Sequence, residues 1–263
     1  MTPSELEQLT RIALGVAEEA AQLVLRGYRT AVAASEKARS DLVTEHDIAS
    51  ERLIRQRLHE RTPGLAVVGE EEGGTADGPT WYCDPIDGTT NFVHGHPFYC
   101  VSLGLMERGV PLLGAVVAPS LHMSWHGYVG GGAFRGGIPC RVSTTAALRN
   151  ALLGTGFHPK SQRKPPHDNL SSFAALLPEA RGIRRCGSAA LDLCMVADGT
   201  YDAYWERALS SWDAAGGAAL VLAAGGRITN LRGGPVDLSI GHLVASNGLV
   251  HDALLALLPE GAV

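Results

Sequence analysis

Residues 84–92 read DPIDGTTNF, and their types and spacing could do chemistry. Asp84 and Asp87 supply two carboxylates, and Gly88 with Thr89 supplies backbone amides and a hydroxyl beside them. A surface turn would also use Asp, Pro and Gly, because Pro fixes φ and Gly accepts a positive φ. A turn does not require the apolar WYC segment before it or the hydroxyl residues after it. The stretch therefore favours a site where carboxylates and free amides act together.

Two apolar segments that precede these acids are predicted to be strands. LAVVGEE and TWYCD each look like a short core strand, with Glu70 at the end of one and Asp84 at the end of the other. Pairing of these strands would bring Glu70, Asp84 and Asp87 to one sheet edge. Clustered carboxylates raise one another's pKa unless a cation neutralises them, and an all-oxygen cluster suits a hard cation such as Mg²⁺. Any one of these acids alone would be an ordinary turn or strand-end residue, so the prediction depends on the cluster.

Two helices are predicted before these strands. Ser4 and Glu7 fit a capping box, and the apolar residues after them recur at helical spacing. The residues of this predicted buried face are Leu6, Leu9, Ala13, Val16, Ala20 and Leu23. A second helix is predicted from about Asp47, which fits an N-cap, to the TPG segment at 62–64.

The rest of the chain predicts the layers of the fold. From Phe98 to about Val142, apolar segments separated by turn residues favour an antiparallel meander. Residues 150–258 alternate strand-like and helix-like segments, so we expect an α/β protein with stacked α/β/α/β/α layers. We treat residues 1–263 as a single domain. Its N-terminal α+β half, 1–145, holds most of the candidate acids, and its C-terminal α/β half is 146–263.

Composition and charge narrow the class of partner. The 263 residues are 45% hydrophobic, which is enough to bury a large core. The net charge is −5 and the basic residues are scattered, so neither nucleic-acid nor anionic-membrane binding is expected. The five cysteines form no CxxC pair and are predicted to be buried, reduced thiols. The chain shows neither a secretory signal nor an apolar run long enough for a membrane span, so we expect a cytoplasmic protein with a small-molecule partner.

Three blocks of the sequence resemble the signatures of the inositol monophosphatase family. They are GEE at 69–71, DPIDGTTNFVHG at 84–95 and WDAAGGAALVLAAGG at 212–226, in the family's order and spacing. The similarity extends to SDLVTEHD, CGSAALDLCMVADGTYDAYWE and GGPVDL, so it covers most of the chain. The resemblance implies a layered sugar-phosphatase fold, usually a homodimer, that hydrolyses a phosphate monoester with two or three Mg²⁺ ions. It also implies inhibition by Li⁺.

The resemblance further implies a set of metal ligands. Glu70, Asp84 and the backbone carbonyl of Ile86 would hold the first ion. Asp84, Asp87 and Asp213 would hold the second. Asp213 has a structural alternative, since it fits a capping box with the serine three residues before it.

The resemblance also assigns groups to the water and to the phosphate. Asp47 matches an acid that hydrogen-bonds the family's threonine, here Thr89, whose hydroxyl contacts the metal-bound water. Either this pair or Glu70 would take the proton. If TTNF begins a short helix, the first amides of that helix point at the phosphate. The phosphate would lie against Asp87, Gly88, Thr89 and Asp213.

Recognition of the alcohol is implied at a separate place. The backbone of Gly187, Ser188 and Ala189, with the carboxylate of Glu206, would bind ring hydroxyls of a polyol. Without the resemblance, Glu206 would be read as an exposed strand-end glutamate. The basic, proline-rich loop at 157–169 is either a solvated loop or a lid over an anionic substrate.

Three kinds of function follow from these assignments. The leading hypothesis is Mg²⁺-dependent hydrolysis of myo-inositol monophosphate. A sister phosphatase acting on histidinol phosphate, fructose 1,6-bisphosphate or adenosine 3',5'-bisphosphate would use the same metal core, but Glu206 in place of a base-stacking aromatic residue favours inositol. A non-catalytic regulatory or assembly protein that retains the fold is the third hypothesis, and the complete set of acids argues against it.

Overall fold

The computed structural model describes residues 1–30, 34–38, 41–157 and 169–258. Its helices are α1 (Pro3–Gly27), α2 (Glu45–Arg61), α3 (Thr89–Val93), α4 (Leu170–Leu176), α5 (Ala189–Ala197), α6 (Ser211–Ala223) and α7 (His251–Leu255). Its strands are β1 (Ala34–Ala38), β2 (Asp41–Thr44), β3 (Ala66–Gly69), β4 (Thr80–Asp87), β5 (Cys100–Glu107), β6 (Val110–Ala118), β7 (Met123–Tyr128), β8 (Gly132–Arg135), β9 (Ile138–Cys140), β10 (Leu152–Thr155), β11 (Gly182–Arg184), β12 (Ala203–Glu206), β13 (Arg227–Thr229) and β14 (Leu243–Ser246).

The strands form a hairpin and two sheets. β1 and β2 pair as the hairpin, the larger sheet has the order β3-β4-β5-β6-β7-β8-β9, and the smaller sheet has the order β11-β10-β12-β14-β13. β5 to β9 pair antiparallel in chain order, which confirms the predicted meander. α1 and α2 cover one face of the larger sheet, α5 and α6 lie between the two sheets, and α4 and α7 pack on the outer face of the smaller sheet. This arrangement confirms the α/β/α/β/α layers.

β5 shows why the larger sheet holds helices on both faces. Val101, Leu103 and Leu105 belong to the core shared with α1 and α2. Cys100 and Met106 belong to the core shared with α5 and α6. Because successive strand residues point to opposite faces, one apolar strand supplies both cores.

Glycines set the distance between α6 and the larger sheet. A Cβ atom on Gly114 of β6 would lie 2.1 Å from the carbonyl oxygen of Gly216, and a Cβ on Gly104 of β5 would lie 2.4 Å from the Gly216 amide nitrogen. The backbones of helix and sheet are therefore in direct contact at this point. The contact fixes the position of α6 and of Asp213 in its first turn.

The helix starts differ from the predicted ones. The N-cap of α1 is Thr2, which exchanges hydrogen bonds with Glu5, and the predicted Ser4–Glu7 capping box was wrong. Pro3 explains the difference, because proline is favoured in the first helical turn and places the cap directly before it. On the predicted buried face, Leu9 and Leu23 are only half-buried, while Val24, next to Leu23, is buried.

The prediction that the cysteines are buried is confirmed for three of the five. All five cysteines are free; Cys83, Cys100 and Cys194 are buried, whereas Cys140 and Cys186 are half-buried and correct the prediction for those two. Within the described ranges, no helix combines the length and the apolar character that crossing a bilayer would require.

Candidate active site

Two parallel strands position Glu70 and Asp84. β3 pairs with β4 so that Gly69 lies opposite Cys83, which brings Glu70 and Asp84 to the same level of the sheet. The prediction that Asp84 ends its strand was wrong, since β4 continues to Asp87. A register shift against β5 between Asp84 and Asp87 accommodates the extra residue within the strand, as in a β-bulge.

The segment between the two aspartates is held by short-range contacts. The Asp84 side chain is 2% exposed, and its Oδ1 accepts a hydrogen bond from the Ile86 amide at 3.0 Å. Ser50 of α2 donates to the Pro85 carbonyl oxygen at 3.2 Å. The Ile86 carbonyl oxygen lies 2.9 Å from Thr89 Oγ1. The backbone that precedes Asp87 is thus fixed from the helix side and from the following turn.

Asp87 connects β4 to the start of α5. Its Oδ2 accepts hydrogen bonds from Ser188 Oγ and from the Ala190 amide, both at 2.7 Å. Ser188 is the N-cap of α5, where the helix dipole favours a negative charge. The sequence separation between Asp87 and Ser188 is 101 residues. This contact therefore joins two of the distant sequence blocks.

Asp213 is the third residue of α6 and contributes to the start of that helix. Its Oδ2 accepts a hydrogen bond from the amide of the N-cap residue Ser210 at 2.7 Å, as expected for the capping-box alternative. The other carboxylate oxygen accepts no hydrogen bond from the described residues. Capping and ligand binding are therefore compatible at this side chain.

The carboxylates of the cluster raise one another's pKa. Burial raises the pKa of Asp84 well above its ordinary value, and the charges of Glu70, Asp87 and Asp213 raise it further. Burial, with the charges of Asp87 and Glu70, also raises the pKa of Asp213. Burial raises the pKa of Asp87 to about 6, although the hydrogen bond from Ser188 opposes that shift. A nearby cation would relieve this repulsion.

The donor set fits a hard cation. Within the described ranges, no group of three or more His, Cys, Asp or Glu side chains is gathered closely enough to hold a metal ion as it stands. The oxygen donors present are the carboxylates of Glu70, Asp84, Asp87 and Asp213 and the carbonyl of Ile86, which are ligand types that Mg²⁺ prefers. Asp84 and Asp213 each use a single oxygen in their hydrogen bonds to backbone amides. The fit is therefore one of chemistry and charge, without a preformed coordination shell.

Asp47 lies in hydrogen-bond contact with Thr89. Thr89 Oγ1 is 3.0 Å from Asp47 Oδ1 and 2.9 Å from the Ile86 carbonyl oxygen, and its single proton can be donated to only one of them. The prediction that Asp47 is an N-cap was wrong, because Thr44 caps α2. Asp47 Oδ2 accepts hydrogen bonds from the Thr44 amide at 2.8 Å and from its hydroxyl at 2.6 Å. Asp47 is thus buried and oriented with Oδ1 toward Thr89.

Gly88 begins the predicted short helix, and α3 confirms that prediction. The φ angle of Gly88 is 96°, in the left-handed region that glycine adopts without strain. A Cβ there would lie 3.1 Å from the Gly187 carbonyl oxygen. Asn91 Nδ2 donates to the carbonyl oxygens of Cys186 at 2.8 Å and Phe98 at 2.7 Å. The Asn91 side chain thus connects α3 to the segment that precedes α5. Sequence reasoning missed Asn91, whose signal was its place within TTNF.

Glu206 lies at the end of β12 and is 5% exposed, so the alternative of an exposed glutamate was wrong. The Tyr204 hydroxyl donates a hydrogen bond to its carboxylate.

Sequence reasoning also missed Asp192 of α5, which is fully buried and has no hydrogen-bond partner for either oxygen among the described residues. Burial and the Glu206 charge raise the pKa of Asp192 well above its ordinary value. Its sequence signal was an acid between apolar residues in ALDLC.

The four tryptophans and the histidines near α3 differ in burial. Trp81, Trp125 and Trp205 are buried in the core. Trp212 is half-buried, and His94 and His96 are exposed. Most of the predicted lid, residues 158–168, lies outside the described residues.

The layered fold is that of a phosphoric monoester hydrolase. The model of the inositol monophosphatase family matches residues 5–261, and the chain belongs to that family. The inositol-1-monophosphatase of Synechocystis sp. is 38% identical over 98% of this chain and 92% of its own length. The protein named Nus factor SuhB of Pseudomonas aeruginosa is 40% identical over 95% of both chains. A solved structure of the inositol monophosphatase from Anabaena (Nostoc) sp. has a TM-score of 0.88 and 34% identity, covering 98% of each chain.

Proposed function

We propose that this enzyme hydrolyses myo-inositol monophosphate to inositol and phosphate with the help of two or three Mg²⁺ ions. The observation on which the proposal rests is the cluster of oxygen donors from Asp84, Asp87, Asp213 and Glu70. Burial and the neighbouring charges raise the pKa of Asp84 and of Asp213, and a divalent cation would relieve the repulsion. The names of the Synechocystis and Anabaena relatives support inositol monophosphate as the substrate.

The metal ligands are proposed from the same cluster. Glu70, Asp84 and the Ile86 carbonyl would hold one ion, and Asp84, Asp87 and Asp213 would hold another. The chemistry that Mg²⁺ supplies when bound in such a site is charge neutralisation at the phosphoryl and leaving oxygens and acidification of a water. The local hydrogen bonds of the three aspartates limit the positions that their carboxylates can take.

Thr89 and Asp47 are proposed to handle the proton of the attacking water. Thr89 Oγ1 can accept a hydrogen bond from the water while it donates its own proton to Asp47 Oδ1, 3.0 Å away. The two hydrogen bonds from Thr44 hold the Asp47 carboxylate in place. Glu70 is the alternative proton acceptor.

The substrate is proposed to lie between two parts of the site. Its phosphate would lie against Asp87, Gly88, Thr89 and Asp213. Its ring hydroxyls would bind the backbone of Gly187, Ser188 and Ala189 and the carboxylate of Glu206. The hydrogen bond between Ser188 and Asp87 joins these two parts, which supports a single site.

A panel of phosphate monoesters tests this proposal. Phosphate release is measured from inositol 1-phosphate, histidinol phosphate, fructose 1,6-bisphosphate and adenosine 3',5'-bisphosphate, in Mg²⁺ and in EDTA, with Asp84→Asn as the inactive control. We expect the highest kcat/KM for inositol 1-phosphate and no activity in EDTA. Comparable turnover in EDTA would contradict the metal requirement, and preference for another monoester would replace the proposed substrate.

Lithium inhibition is proposed for the Asp84, Asp87 and Asp213 site, because Li⁺ can enter an oxygen site but lacks the second charge. Equal effects of Li⁺ and Na⁺ at matched ionic strength would contradict it. The homodimer, the cytoplasmic location and the lack of nucleic-acid and membrane partners stay predictions.

A second candidate function is a regulatory role like that implied by the name of the relative Nus factor SuhB. The test is complementation in a host that lacks the gene for this chain. An Asp84→Asn chain that restores the host fully would favour the regulatory role, whereas failure of a folded Asp84→Asn chain would favour catalysis.

A further inference from the structure

One face of α2 is polar where it meets the candidate site. Asp47, Ser50 and Glu51 are all fully buried, and Ile54 and Leu58 continue the same face as apolar core residues. Helical spacing explains this alignment, since residues three and four positions apart are neighbours on a helix surface. Asp47 contacts Thr89, and Ser50 contacts the Pro85 carbonyl oxygen in β4. The third, Glu51, has no role in the proposed chemistry.

Glu51 binds the turn that follows Glu70. Its Oε2 accepts a hydrogen bond from the Glu71 amide at 2.7 Å, and its Oε1 accepts one from the Glu72 amide at 2.9 Å. A Cβ atom on Gly69 would lie 2.3 Å from Glu51 Oε1, so only glycine leaves room for this carboxylate. Glu51 therefore contacts the backbone on both sides of Glu70.

Arg55 braces this carboxylate and both ends of the same segment. Its Nε donates to Glu51 Oε1 at 2.8 Å. Its Nη1 donates to the Val67 carbonyl oxygen in β3 at 3.3 Å, and its Nη2 donates to the carbonyl oxygen of Gly73. The planar guanidinium thereby fixes the strand before Glu70 and the residue that closes the turn.

We propose that Glu51, braced by Arg55, is a positioning residue that holds Glu70 toward the carboxylate cluster and thereby sets the affinity for Mg²⁺. Glu70 lies beside Asp84, which carries the same charge, and the hydrogen bonds of Glu51 to the Glu71 and Glu72 amides hold its turn against this repulsion. This inference rests on the proposed function, since it takes Glu70 as a metal ligand. Groups that orient a metal ligand typically change metal affinity 10–100-fold when they are altered.

The test is the variant Glu51→Gln. The amide keeps the shape of the side chain, but its NH₂ group cannot accept a hydrogen bond, so at least one backbone amide of the turn loses its partner. We expect Mg²⁺ to bind about 10-fold or more weakly, measured by calorimetric titration of the folded protein without substrate. The kcat at saturating Mg²⁺ and the KM for inositol 1-phosphate should stay within about 3-fold of wild type, because the chemistry is intact once the metal is bound.

Glu19→Gln is the matched control. Glu19 of α1 accepts hydrogen bonds from Arg57 at 2.7 Å and from Arg61, so the variant also removes a carboxylate that pairs with α2 arginines. It touches no part of the Glu70 turn, and its Mg²⁺ affinity should equal that of wild type. A general loss of helix packing would lower the Mg²⁺ affinity of both variants. A positioning role of Glu51 would lower the affinity of Glu51→Gln alone.

The outcomes distinguish this inference from the proposed function. A folded Glu51→Gln protein with wild-type Mg²⁺ affinity overturns the positioning role. Wild-type protein that binds no Mg²⁺ overturns the proposed function itself. If Glu51→Gln does not fold, Arg55→Lys takes its place. Lysine keeps the charge but cannot make the three hydrogen bonds that the Arg55 guanidinium donates. Wild-type Mg²⁺ affinity in a folded Arg55→Lys protein would also overturn the inference.

Discussion

At the residue scale, Thr89 and Glu206 are proposed to have separate roles, Thr89 in catalysis and Glu206 in recognition of the alcohol. Thr89 Oγ1 contacts Asp47, on the side proposed for the water, whereas Glu206 lies with Tyr204 at the end of β12, on the side proposed for the alcohol. Thr89→Ala removes the hydrogen bond that is proposed to act on the attacking water in the transition state. We expect kcat to fall by roughly 10²-fold or more with little change in KM, and to the same extent for every substrate.

Glu206→Gln should change specificity instead. The substitution keeps the shape but removes the charge-assisted hydrogen bonds that are proposed between Glu206 and the ring hydroxyls, so inositol 1-phosphate should lose ~1–3 kcal/mol of transition-state binding. A simple aryl phosphate has no such hydroxyls and should lose little. Steady-state kinetics of both variants on inositol 1-phosphate and p-nitrophenyl phosphate measures the difference. An equal loss on both substrates for Glu206→Gln would remove this residue from the alcohol site.

At the element scale, the contact of α6 with the larger sheet predicts the effect of one added methyl group. Gly114→Ala places a Cβ 2.1 Å from the Gly216 carbonyl oxygen, which is backbone and cannot rotate away. The helix must move outward, so we expect a loss of about 3 kcal/mol in the free energy of unfolding. Asp213 moves with the helix, and Mg²⁺ affinity should fall as well.

Gly15→Ala provides the control for this prediction. Gly15 lies within α1, and the nearest atom to an added Cβ is Arg61 Nη1 at 3.7 Å, an ordinary van der Waals distance. Alanine there should raise the free energy of unfolding by about 0.4–1 kcal/mol, because it restricts the unfolded chain. Urea unfolding of both variants measures the two effects. A Gly114→Ala protein as stable as wild type would contradict the direct backbone contact.

His251 joins three elements of the smaller sheet and makes their stability depend on pH. Its ring nitrogens lie 2.9 Å from Thr229 Oγ1 in β13 and 2.8 Å from Ser246 Oγ in β14, and the residue begins α7. Burial lowers the pKa of His251 to about 4. The unfolded state then binds more protons than the folded state between pH 6.5 and 4, so stability falls as the pH falls through this window.

We expect His251 to account for a loss of about 2 kcal/mol in the free energy of unfolding between pH 7.5 and 5. His251→Asn should be destabilised at neutral pH by the loss of packing, but its stability should depend less steeply on pH. Chemical unfolding of both proteins in EDTA at several pH values gives the two slopes. The carboxylates titrate alike in both proteins, so parallel slopes would exclude the buried neutral histidine as the cause.

The elements show which features the sequence could predict. Alternating apolar residues and turn residues predicted the meander and the strands before Glu70 and Asp84, because these signals are local. The N-cap at Thr2 was missed although Pro3 marks the first helical turn, and the N-cap at Thr44 was missed because Asp47 is also a residue type that caps helices. Glu51 and Asp192 were missed because no local pattern tells which distant segment covers a buried acid. The contact of Asp87 with Ser188 spans 101 residues and is accessible only from the structure.

At the scale of the whole molecule, the candidate site gathers residues from several layers. Glu70 follows β3, and Asp84 and Asp87 lie in β4 of the larger sheet. Asp213 lies in the first turn of α6 between the sheets, and Glu206 ends β12 of the smaller sheet. A cation bound by Glu70, Asp84, Asp87 and Asp213 would therefore cross-link the two halves of the chain. The description of the chain as one domain stays a prediction, and a single unfolding transition whose midpoint depends on Mg²⁺ would support it.

The same carboxylates lower the free energy of unfolding when no cation is bound, because buried charges of like sign repel one another. Asp84→Asn removes one of these charges and keeps an oxygen that can accept the Ile86 amide. In EDTA we expect the variant to be more stable than wild type by about 1 kcal/mol, a rise of roughly 2–4 °C in the melting temperature. In Mg²⁺ at a hundred times its Kd, wild type should gain about 2.7 kcal/mol and the variant almost nothing, so the order of the two melting temperatures reverses. Thermal unfolding of both proteins in EDTA and across a Mg²⁺ titration measures this reversal. A variant less stable than wild type in EDTA would show that the folded chain tolerates the carboxylates without a cation, and the electrostatic reason for placing Mg²⁺ at this site would fail.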